Sequence, residues 1–149
     1  MDAIQFLKRE HEKAKTKLAD LLAARPEARQ ALWEELSPEL ELHEQIEDAA
    51  LYEPLARDAA GTDATLAEWR ERHQGEVERA EGLIDAIDDL DAEQDDWLKK
   101  VEDLETTLRT HIQEEEEAIF PRIGRIWDSA RLERAGTELE ALKSRKAAA

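Results

Sequence analysis

The chain has 149 residues, a formal charge of −17 and no cysteine. That length suffices for one domain with a buried core, the charge repels nucleic-acid phosphates and anionic membrane surfaces, and the lack of thiols excludes disulfides and thiolate metal sites. Cations are the favoured partners of such a chain. Five glycines and four prolines, with abundant Ala, Leu, Glu and Arg, favour helices over sheet. The amino terminus "MDAIQFLKREHEK" has no basic segment followed by an apolar run, and no stretch approaches membrane-spanning length, so a soluble, cytoplasmic protein is expected.

Apolar residues at spacings of three and four predict four amphipathic helices packed as a bundle. The first carries Ile4, Leu7, Leu18 and Leu21 over about residues 2–24. "ARPEA" then breaks the chain, with Pro26 suited to a first helical turn. The second helix runs to about Arg57 with Leu36, Leu40, Ala50 and Leu51 on one face, and Ser37-Pro38 should kink it or end one helix and cap another. Gly61 is the expected stop, and Thr62 or Asp63 the cap of the next helix. That third helix, to about Asp89, carries Leu66, Trp69, Val77, Ala80, Ile84 and Ile87. "DDLDAEQDD" leads into a fourth with Trp97, Val101, Leu104, Leu108 and Ile119. Beyond Pro121 the pattern predicts a helix end, a shorter amphipathic helix and a frayed tail, "SRKAAA". Trp33, Trp69, Trp97 and Trp127 are expected in core or helix-end packing, and the acidic runs on solvated faces.

The four histidines fill gaps in these stripes. His11 sits four after Leu7, His43 three after Leu40, His73 four after Trp69 and His111 three after Leu108, so each helix supplies one inward imidazole. Glu47 and Glu115 each follow a histidine by four residues, which places them on the same face. In "HIQEEEE" the inward glutamate is therefore Glu115, while Glu114, Glu116 and Glu117 are expected mostly at the surface. The order His, His-x3-Glu, His, His-x3-Glu is a repeat, and two similar helix pairs would meet at one centre. Imidazoles and carboxylates in a bundle interior need compensation, which a pair of cations supplies; this donor set suits iron, manganese or zinc.

These residues resemble the hemerythrin-like (HHE cation-binding) family over about residues 4–125. The resemblance is carried by the lone His11, "HEQIEDAALYEP", the lone His73 and "HIQEEEEAIFP". It implies one hemerythrin-like domain over residues 1–149, all-α, with an up-down-up-down four-helix bundle at about 2–125 and a C-terminal helix and tail at about 128–149. It further implies two iron ions, oxo- or hydroxo-bridged, held by His11, His43, Glu47, His73, His111 and Glu115. No glutamate lies three residues before a histidine, so the ferritin-type pattern is absent. Oxygen-carrying hemerythrins have a second histidine on the third helix where this chain has Val77. That leaves about two of roughly twelve coordination positions open. Water, Glu44 or Glu76 is a candidate for the extra one; Tyr52, nine residues after His43, faces away on an ideal helix and is expected to pack. The implied function is binding of, or reaction with, O2, peroxide or NO, with the electron donor unspecified and catalytic turnover left open. The alternative is an iron-handling or sensing protein.

Overall fold

A computed structural model describes residues 1–148. Helix α1 (Ala3–Ala23) starts at a capping box, in which the Asp2 carboxylate accepts from the Gln5 N–H and the Gln5 side chain accepts from the Asp2 N–H. Helix α2 (Pro26–Glu47) has its proline in the first turn and passes through Pro38 without ending, so of the two expectations there the helix end with a new cap is not found. It continues through a π-helical turn, Asp48–Tyr52, into α3 (Glu53–Asp58). Gly61, at φ +79°, turns the chain, and Asp63 caps α4 (Ala64–Asp88) by accepting from the Leu66 N–H. Helix α5 (Asp95–Glu114) opens with two aspartates that favour the positive end of its dipole. A second π-helical turn, Glu115–Ile119, leads into α6 (Phe120–Ile126). Helix α7 (Ser129–Ala148) closes the chain.

The described residues form five helical runs and contain no strand. None of these helices is long and apolar enough to cross a membrane. Helix α1 packs on α2 and α5, α4 packs on α2 and α5, and α7 lies across α1 and α2. The last helix is as long as α5, not shorter as expected, because Ala135 and Leu139 bury against the bundle. Lys143 pairs with Glu10, and Lys146, within the stretch expected to fray, donates to Gln45; Ala149 lies outside the described residues.

The core has two apolar clusters. One gathers Leu7, Leu51, Tyr52, Trp69, Ile119 and Phe120 with their neighbours, and the other Leu18, Trp33, Leu40, Ile84, Trp97 and Leu108 with theirs. Along α1, α2, α4 and α5 the histidines fall in the interval between the two. The apolar layers thus exclude water above and below one polar layer, which strengthens every charge interaction within it.

Candidate metal centre

All six expected side chains meet in that layer. His11 comes from α1, His43 and Glu47 from α2, His73 from α4, His111 from the last turn of α5, and Glu115 from the first position of the second π-turn. They fall into two sets whose potential ligand atoms lie within 4.8 Å of one another: His11, His43, Glu47 and Glu115, and Glu44, Glu47, His73 and His111. The two carboxylates expected to join the sets do so through different oxygens. Glu47 puts Oε2 3.1 Å from His43 Nε2 and Oε1 2.9 Å from His73 Nε2. Glu115 puts Oε1 3.0 Å from His11 Nε2 and Oε2 3.3 Å from His111 Nε2.

The donor atoms fit a cation. Among the described residues, His11 Nε2, Glu44 Oε2, Glu47 Oε1, Glu115 Oε1 and both nitrogens of His73 are buried without a hydrogen-bond partner. Such atoms are uncommon in folded proteins, and their convergence here suits divalent or trivalent metal ions. Without metal, protons take that place. Burial by itself favours a neutral His111, but its hydrogen bonds with Glu115 and Glu76 prevail and push it up to about 11. Burial also opposes the charge on His73 and His43, yet Glu44 and Glu47 raise the first to about 10 and Glu47 raises the second to about 9. Burial would raise Glu115, but the imidazoles of His11 and His111 beside it hold it well below the usual carboxylate range.

Further residues surround these six. Glu44, 3.0 Å from His73 Nε2, is the candidate for the extra position that joins the second set. Glu76 turns outward instead, with Oε2 2.5 Å from His111 Nδ1. Glu116 was expected at the surface; it is half-buried, with Oε2 2.7 Å from His11 Nδ1. Glu114 is also half-buried and pairs with Arg72, which leaves only Glu117 of this run fully exposed. Tyr52 does not face away. It is buried and donates to Glu115 Oε2 at 2.7 Å.

The first π-turn accounts for Tyr52. The N–H of Glu53 reaches back five residues to Asp48 O, and that of Phe120 to Glu115 O. Each extra residue rotates the downstream side chains by about 100° relative to an α-helix, which swings Tyr52 from the far side toward the site. The signal available in the sequence was Pro54 and Pro121, one on each turn's downstream edge. A proline lacks an N–H and crowds the carbonyl four residues back, so a widened turn accommodates it.

Of the tryptophans, Trp69 walls the site, its ring stacked 6.2 Å from that of His111 and tilted 6.0 Å from that of His73. Trp33 and Trp97 pack edge to face in the distal core, and Trp127 ties a helix end by donating to Asp58. A cavity of about 50 Å³ touches His11, His43, Glu44 and His111 and is otherwise lined largely by apolar groups, Leu40, Val77 and Ile112 among them. This is space for one or two molecules the size of water. His43 is the most open of the four imidazoles, its side chain 17% exposed.

A helical protein with paired His/Glu groups of this kind is, as a class, a cation-binding one. The chain belongs to the hemerythrin family: the model of the hemerythrin HHE cation-binding domain matches residues 2–123. Comparison with curated proteins and with solved structures gives no match.

Proposed function

We propose that this is a non-haem di-iron protein of hemerythrin-like type, in which the helices lining the site form an up-down-up-down bundle. His11 and His43 would hold one ion and His73, His111 and Glu44 the other, with Glu47 and Glu115 offering an oxygen to each set. The observation that carries this reading is the split of both carboxylates, each turning one oxygen to each set of imidazoles. Bound iron supplies a change of oxidation state and an exchangeable coordination position. The protein's part is to exclude bulk water with two apolar layers, to keep the Tyr52 phenol protonated and donating to Glu115, and to leave a small cavity beside His11 and His43. Burial and the charges of Glu115 and Glu47 raise the Tyr52 pKa, which keeps that donor in place.

A cavity of this size admits a diatomic molecule or peroxide, and the proposed reaction is with O2, peroxide or NO. The test is spectroscopic. Ferrous-loaded protein is titrated with NO, and oxidised protein with azide and with peroxide, while the visible spectrum is recorded. A saturable change with at least one of them is expected. A loaded protein whose spectrum responds to none would overturn the ligand-binding reading and leave iron handling.

A further inference from the structure

His11 and His111 differ from the other two imidazoles in what they meet on their outward side. His11 Nδ1 lies 2.7 Å from Glu116 Oε2 and His111 Nδ1 2.5 Å from Glu76 Oε2, whereas His73 Nδ1 is buried with no partner among the described residues. Both of these histidines also face Glu115 through Nε2. Glu116, His11, Glu115, His111 and Glu76 therefore form one chain of side chains across the interior. Its inner members are buried, and its two ends are partly open to solvent, with side-chain exposures of 23% and 16%.

Resting on the metal-binding reading above, we propose that Glu116 and Glu76 are positioning residues that fix the metal-binding tautomer of His11 and His111. A neutral imidazole carries one N–H. An ionised carboxylate can only accept, so each outer glutamate holds that proton at Nδ1 and leaves the Nε2 lone pair directed into the site. The ring is locked in orientation by the same bond, and the imidazole becomes a stronger donor. The two braces come from unrelated places, Glu116 from the second π-turn and Glu76 from α4. Arg72, 3.9 Å from the other oxygen of Glu76 and also paired with Glu114, holds that second brace in turn. Glu47 serves His43 and His73 from the inside only, so each of the two sets contains one braced imidazole, His11 in the first and His111 in the second.

The test uses the full chain loaded with cobalt(II), with affinity measured by chelator competition and hyperfine-shifted imidazole N–H signals followed by proton NMR. Glu116→Ala and Glu76→Ala are each expected to weaken cobalt binding by about 10- to 100-fold. Each should also bring one shifted Nδ1–H, that of His11 or His111 respectively, into fast exchange with solvent. Glu116→Gln and Glu76→Gln keep a carbonyl acceptor in place and should recover most of the affinity, a rescue that a change in overall folding would not produce. Glu117→Ala, at an exposed position, should match the parent. Parent-like affinity together with retention of both N–H signals in the two alanine variants would overturn the proposal while leaving the metal site standing. A parent chain that takes up no cobalt would overturn both.

Discussion

Glu47 and Glu115 each turn one oxygen to one pair of imidazoles and the other oxygen to the second pair, so losing either carboxylate should affect two metal positions at once. Glu47→Ala and Glu115→Ala are expected to release most of the bound iron, measured per chain after gel filtration, while Glu117→Ala retains it. The protonation of the cluster gives a second expectation. The folded-state pKa values of His43, His73 and His111, about 9, 10 and 11, lie above the ordinary 6.5, so their stabilisation of the metal-free protein is complete below about 6.5 and is lost as pH rises through those values. Glu115 is shifted the other way and contributes above its ordinary 4.5, failing as pH falls. Metal-free protein should therefore be most stable between about pH 4.5 and 6.5. Metal displaces the imidazole protons, so the rise in Tm on loading should be larger at pH 8 than at pH 6. A metal-free Tm that increased from pH 6 to pH 8 would contradict this account.

The two π-turns follow the His-x3-Glu pairs on their helices, and the first sets the aim of Tyr52. Tyr52 reaches Glu115 only because the first turn adds a residue before it. Tyr52→Phe should cost about 1.5 to 3 kcal/mol, the range for a hydrogen bond to a charged group. Deletion of the exposed Ala49 should restore α-helical register and reproduce that loss in thermal unfolding although the tyrosine is still present. Helix positions were legible in the sequence because the stripes of Leu7 and Leu18, Trp69 and Ile84, or Leu104 and Leu108 keep a period near 3.6. Tyr52 was not, since a count of 100° per residue fails wherever a turn widens, and the contact of Glu116 with His11 on another helix has no signal in local spacing. Glu76 was legible only as a weak candidate, three residues after His73, and its actual contact, the outward nitrogen of His111 on another helix, has no signal in local spacing.

At the scale of the molecule, a polar layer rich in carboxylates is held between two apolar clusters and covered on one side by α7. That last helix approaches α1 through Gly136, where an added Cβ would lie against Met1 O and 2.7 Å from the Asp2 carbonyl carbon. Gly136→Ala should lower stability by about 1 to 3 kcal/mol by forcing the helices apart, with metal content unchanged. Its close approach was invisible in the sequence, where a glycine in a helical stretch signals only lowered propensity. The six inward residues were visible for the opposite reason: His and Glu at core positions conflict with burial unless something is bound between them.

That conflict makes metal stoichiometry the most direct test. Purified protein, stripped of metal and reconstituted with ferrous iron without oxygen, should retain about two iron ions per chain. A variant carrying His11→Ala and His43→Ala should retain about one, the ion left to His73, His111 and Glu44. No retained metal in the parent chain, or two ions retained in the variant, would contradict a paired centre built on these residues.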